Sequence, residues 1–339
     1  MPALPAEREA FRLAPEGYYR FTQVDKFGAT FGGGEANVAV SLANYGIDVA
    51  FVSKIVNNPI GDAAVNSLRK YGVDTSLITR GGDRLGIYYL EKGASQRPSK
   101  VVYDRAHSSI AEAKQEDFDW DKIFKDVNFF HFTGITPALG ENVADITLRA
   151  CQEAKKRNIT ISCDLNYRKK LWSKEQANKT MSELAKYIDV VIANEEDAAD
   201  VFNIHSTASD VTKGELNKEG YIEVAQKLTE KFGFKKVAIT LRESISANDN
   251  RWSAMLYTEG KAYFSRTYNM HIVDRVGGGD SFGGGLIYSL LMGFDPQKTI
   301  EFAVGASCLK HSIEGDYNLV SVEEVLSLIG GNASGRVQR

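Results

Sequence analysis

One stretch constrains this chain more than any other: Asp274-Arg275-Val276-Gly277-Gly278-Gly279-Asp280-Ser281-Phe282-Gly283-Gly284-Gly285, followed by the apolar Leu286-Ile287-Tyr288-Ser289-Leu290-Leu291. Three consecutive glycines let successive backbone N–H groups turn toward one point, and the apolar run predicts a helix whose positive end faces that point. Such a turn is an anion cradle. Asp280 is a poor anion ligand, but it can take the proton of a hydroxyl that attacks a phosphate held in the cradle. Taken alone, the same letters also describe a glycine-rich loop with Asp280 as a helix N-cap.

The rest of the chain supplies a scaffold and a second site. Gly32-Gly33-Gly34 precedes Glu35-Ala36-Asn37-Val38-Ala39-Val40-Ser41-Leu42, which is apolar at helical spacing and stopped by Gly46. Asn37 lies in the first turn, as a cap or as a ligand. Residues 47–56 read as a strand and 60–71 as a helix closed by Gly72. Strand-like runs at 127–132, 159–163, 190–193 and 237–241 are separated by helix-compatible stretches such as 142–157 and 221–232, the pattern of a doubly wound parallel sheet. Thr133-Gly134, Asp164 to Arg168, Asn194 to Asp197 and Thr240 to Glu243 end those runs, where ligands bind in open α/β sheets. Two runs at 87–91 and 100–105 form a predicted hairpin. With an extended segment at 18–30, this hairpin gives a small sheet over the glycine sites, a lid. Residues 1–17 show neither strand alternation nor a capped helix, and are expected to be dispensable.

A chain of 339 residues with 43% hydrophobic content can bury a large core, and a net charge of −3 with interspersed signs gives no basic footprint for nucleic acid or a membrane surface. Small molecules are the expected partners. Cys151, Cys163 and Cys308 lack metal spacing and sit among apolar residues, which points to free thiols in a reducing compartment and a cytoplasmic location. No apolar run approaches the ~20 residues of a membrane span.

Two glycine triplets, each opening a helix, are much more specific than either alone. Here the chain resembles the ribokinase-like sugar kinases: the segment from Gly32 to Gly46 looks like that family's N-terminal signature, and that from Asp274 to Gly285 like its C-terminal one, with GGGD where GAGD is commoner. Tyr103-Asp104-Arg105, the run from Thr133 to Leu139 and Asp164-Leu165-Asn166-Tyr167-Arg168 most resemble the members that phosphorylate 2-keto-3-deoxygluconate. The resemblance implies a single α/β domain over residues 1–339, a three-layer α/β/α fold with a mostly parallel sheet and a β-sheet lid at about 18–32 and 85–108. It implies ATP and Mg²⁺ as well. By position, Asp280 resembles the catalytic base and Gly277, Gly278 and Gly279 the anion hole. Gly33, Gly34, Asn37, Tyr89, Tyr103, Arg105, Asn166, Arg168 and Asp316 match substrate-contacting positions. Asn194 with Asp197 resembles the Asn-x-x-Glu element that holds Mg²⁺ through water, Asp197 standing where Glu is usual. Thr240, Arg242, Glu243 and Ser244 fall at the nucleotide, although the usual Gly-x-x-Gly is absent there. The family's short first strand also has no evident counterpart.

Physical chemistry independently favours a sugar acid, because a substrate carboxylate suits a guanidinium fork better than an ammonium, and Arg105 and Arg168 are both placed at predicted cleft edges. Either arginine alone is more readily a surface or structural ion pair. Fructose or another sugar, and a catalytically silent sensor, are the alternatives. The exposed edges expected of the lid hairpin predict a homo-oligomer.

Overall fold

The computed structural model describes residues 3–5, 10–194, 196–207 and 218–332. In chain order come β1 (Ala3–Pro5), β2 (Ala10–Ala14), β3 (Gly28–Gly32), α1 (Gly34–Asn44), β4 (Ser53–Ile55), α2 (Pro59–Arg69), β5 (Ile78–Arg80), β6 (Gly86–Glu91) and β7 (Lys100–Asp104). An α/β alternation follows: α3 (Trp120–Ile123), β8 (Phe129–Thr133), α4 (Glu141–Lys156), β9 (Thr160–Asp164), α5 (Lys174–Ala185), β10 (Val190–Asn194), α6 (Asp197–Phe202), α7 (Lys218–Phe232) and β11 (Lys236–Ser244). The chain then makes β12 (Asp249–Thr258), β13 (Lys261–Phe264) and β14 (Tyr268–His271), and ends in α8 (Gly278–Leu291), α9 (Pro296–Lys310) and α10 (Val322–Ile329).

The large sheet has the order β1-β8-β9-β10-β11-β12-β13, with β14 also on β12. Strands β1 and β8 to β11 are parallel, and β12 turns the far edge antiparallel. The reason for the sandwich is visible in β10: Val191 enters one apolar cluster, with Cys163, Phe202 and Ile239, while Val190 and Ile192 enter another, with Phe282, Leu286 and Ile300. Both faces are therefore covered by helices, as a parallel sheet requires. The result is a three-layer α/β/α body. Helix α8 is buried nearly all round, and its second glycine triplet permits close approach: a methyl on Gly284 would lie 2.7 Å from Ser41 Cβ, and one on Gly285 3.0 Å from Ala303 Cα.

A second sheet, ordered β3-β2-β6-β7, caps one side of the body. This is the expected lid, with different borders. Residues 18–27 form no strand, and β3 starts only at Gly28. The reading of no strand in the N-terminal segment is overturned: β1 pairs with β8, and β2 is a central strand of the lid, antiparallel to β3 and parallel to β6. A three-residue strand and an arginine-bearing one carry too little alternation to be read from the letters. Residues 47–56 contain only the short β4, and α5 and α6 were not anticipated.

Candidate active site

The carboxyl ends of β8 to β11, the start of α1, the start of α8 and the inner face of the lid enclose one cleft of about 340 Å³. Gly277 caps α8 with φ +77°, and a methyl there would come within 2.0 Å of the Asp316 carbonyl oxygen, so only glycine fits the turn. Behind Gly278 sits the buried imidazole of His311, 2.4 Å from where a methyl would be. Burial pushes His311 down to about 4 and keeps it neutral. The Ser281 and Ser307 hydroxyls both donate to the Gly278 carbonyl, at 3.0 and 2.7 Å. They anchor the first turn of α8, whose leading N–H groups have no preceding carbonyl within the helix. Gly278 N–H is turned to the Arg275 carbonyl at 3.3 Å.

Asp280 is the third residue of α8 rather than its N-cap, and it lines the cleft. Its carboxylate accepts a 2.7 Å hydrogen bond from Asn37 Nδ2, while Asn37 Oδ1 accepts from Gly33 N–H at 3.3 Å. Asn37 thus joins the two glycine loops. Gly33 and Gly34 line the same wall.

Opposite lie Tyr103, Arg105, Asn166 and Arg168. The Arg105 guanidinium stacks 4.0 Å above the Tyr103 ring and 5.8 Å from that of Tyr88. Asn166 holds φ +39° and its N–H donates to Asp164 Oδ1, and Arg168 donates to the Tyr167 carbonyl at 3.2 Å. Tyr89 requires correction: alternation along β6 sends it to the outer face of the lid, 6.0 Å from the Phe27 ring, and Tyr88 enters the cleft instead.

At the end of the cleft formed by β11, Thr240 and Arg242 line the wall, with Arg242 packed 5.0 Å from the Trp252 ring. Glu243 and Ser244 do not line it, because β11 continues to Ser244 where a loop was expected. Glu243 pairs outward with Arg251 at 3.1 Å. Asn194 Oδ1 accepts from the N–H groups of Glu196 and Asp197, and the Asp197 carboxylate accepts from those of Asn194 and Tyr167, at 2.9 and 3.3 Å. Burial pushes Asp197 up to about 6. Among the described residues no cluster of three or more His, Cys, Asp or Glu could hold a metal by itself. Asp197, Asp164 and Asn194 nonetheless present oxygen atoms along one wall, a donor set that suits a hydrated Mg²⁺ shared with substrate phosphates.

Tyr88 and Arg12 escaped the sequence reading, and Asp164 was read only as part of a strand-end cluster. Asp164 lines the cleft, and its carboxyl is pushed well above the ordinary range by burial, with Asp197 and Asp280 adding to the effect. Tyr88 donates to Asp316 Oδ2, and Arg12 reaches both Asp274 Oδ2 and Asp316 Oδ1 at 2.8 Å. Burial opposes ionisation of Asp274, but Arg12, Lys92 and Lys310 hold it below the usual carboxylate range. Asp316 is drawn upward, since burial and Asp274 outweigh its share of Arg12. The Asp316 carboxylate, expected to contact substrate, therefore has both oxygens engaged by the protein.

A family model described as pfkB family carbohydrate kinase matches residues 12–321. The chain is 53% identical to the crystal structure of 2-dehydro-3-deoxygluconokinase from Thermotoga maritima, with a TM-score of 0.94 over 98% of each chain. It is 29% identical to 2-dehydro-3-deoxygalactonokinase of Haloferax volcanii over 96% of this chain and 95% of that protein. It is 28% identical to 2-dehydro-3-deoxygluconokinase of Bacillus subtilis over 90% and 88%.

Proposed function

Because the chain belongs to the pfkB family of carbohydrate kinases, we propose that it transfers the γ-phosphoryl group of ATP to the terminal hydroxyl of 2-keto-3-deoxy-D-gluconate, giving the 6-phosphate. The observation that carries this reading is that Asp280, the Gly277 to Gly279 turn, and the Arg105 and Arg168 side chains all line one cleft. The two guanidinium groups pair the substrate carboxylate, and Asn166, Tyr103, Gly33 and Gly34 hold its hydroxyl and keto oxygens. Asp280, oriented by Asn37, takes the proton of the attacking hydroxyl. Backbone amides at the start of α8, other than that of Gly278, which donates to the Arg275 carbonyl, face the charge that gathers on the transferred group. Thr240 and Arg242 contact the nucleotide. Asp197, Asp164 and Asn194 would hold Mg²⁺ through water, and the ion, when bound, neutralises phosphate charge.

The lid excludes water that would otherwise accept the phosphoryl group. Its outer side exposes Phe27 and Val102, and Tyr18 and Tyr19 are exposed in the neighbouring segment at 18–27. A second copy of the chain covering this surface makes the protein a homo-oligomer, which light scattering at micromolar concentration would detect as a multiple of the 37.4 kDa chain.

An ADP-release assay across keto-deoxy acids of both C4 configurations, gluconate, fructose and ribose tests the assignment. The keto-deoxy-gluconate should give the highest kcat/KM. Preference for fructose would replace the acid by a neutral sugar, and absence of ADP with every sugar would favour a sensor.

A further inference from the structure

We propose that Arg12 is a positioning residue that ties closure of the lid to formation of the anion cradle. The proposal rests on the kinase reading above. Arg12 is 4% exposed and sits on β2, which lies between β3 and β6 in the lid sheet. Its two terminal nitrogens reach carboxylates on either side of the α8 turn, Asp274 and Asp316, whose side chains are each 1% exposed.

Each carboxylate has a second set of bonds. Asp274 accepts the N–H groups of Val276, just before the cradle, and Gly315, both at 3.1 Å. Asp316 accepts the Tyr88 hydroxyl from β6, its carbonyl oxygen closes on Gly277, and its carboxylate sits where any side chain on Gly32 of β3 would be. Three adjacent lid strands therefore converge on Asp316, and one guanidinium links them to the loop that shapes the cradle. A lid displaced from the body would take Arg12 from both carboxylates and leave Lys310 as the body's nearby cation, a less favourable arrangement than the paired one. The seated lid and the formed cradle are thus one state, and water is shut out when the cradle is ready.

Arg12→Lys, Arg12→Gln and Tyr88→Phe test this, each measured for melting temperature, kcat, KM for the sugar acid, and ADP released per sugar phosphate formed. Wild type should release one ADP per product. Arg12→Gln should lower kcat roughly 10–100-fold, the range for a lost hydrogen bond to a charged group, and release ADP in excess of product. Arg12→Lys should recover part of both, and Tyr88→Phe should shift both the same way by less. If Arg12→Gln does not fold, the other two variants carry the test. Folded variants that lose only melting temperature, with wild-type kcat and stoichiometry, would overturn the proposal and leave Arg12 a structural ion pair. If wild type itself forms no sugar phosphate, the kinase reading fails and takes this role with it.

Discussion

Asn37 Nδ2 donates to the Asp280 carboxylate at 2.7 Å, joining the start of α1 to the start of α8 across 243 positions of sequence. The bond fixes the rotation of the carboxylate proposed to meet the attacking hydroxyl. Asn37→Asp should replace a donor with a like charge, which disfavours the ionised form of Asp280. The acid limb of the kcat/KM profile should then move to higher pH with reduced activity throughout. An unmoved acid limb would show that Asp280 does not act as the base from this position.

Arg105, held over the Tyr103 ring, should distinguish acid from neutral substrate. Arg105→Ala should cost roughly 1.5–3 kcal/mol, about 10–150-fold in kcat/KM, on the keto-deoxy acid. An analogue with the carboxylate reduced to an alcohol should lose much less, having made no ion pair. Arg105→Lys should rescue in part, since an ammonium keeps the charge without the fork. Equal losses on both substrates would remove the carboxylate role.

His131 on β8 is buried, with Nδ1 2.8 Å from Ser162 Oγ, and burial pushes it down to about 3 from an ordinary 6.5. Between those values the unfolded chain binds the proton and the folded one does not, so this group's contribution to stability is lost as pH falls from about 6.5 toward 3. The loss is on the order of 5 kcal/mol over that whole range. Asp197, raised to about 6, acts in the opposite direction between about 6 and 3.8, so the histidine must be isolated by difference. Urea melts of wild type and His131→Gln across pH 4–7 should show a shallower acid loss in the variant. Parallel slopes would contradict the assignment.

The α/β alternation and both glycine turns were legible because their signals are local: apolar runs of strand length, glycine stops, and a turn that no other residue can make. Arg12 was not, since Phe11-Arg12-Leu13 is too short an alternation to be read as a strand and the partners lie 262 and 304 positions away. Tyr88 and Tyr89 show the limit of a period-two pattern. Two adjacent tyrosines differ only in face, and the face is set by register against β2 and β7, a tertiary property. Glu243 and Ser244 fell outside the cleft for a similar reason, because pairing with β12 extends β11 through what looked like a loop. Asp316 was legible as a residue of the cleft wall, but its engagement by Arg12 and Tyr88 was not.

Replacing Asp280 by Asn tests the central claim most directly. The amide keeps the size and the contact region of Asn37 but cannot accept the hydroxyl proton, so the variant should bind ATP and sugar acid as wild type does in calorimetry. Single-turnover transfer should fall by about 10²–10⁴-fold, the range for loss of a general base. A transfer rate near that of wild type, with product phosphorylated at the same hydroxyl, would contradict the account.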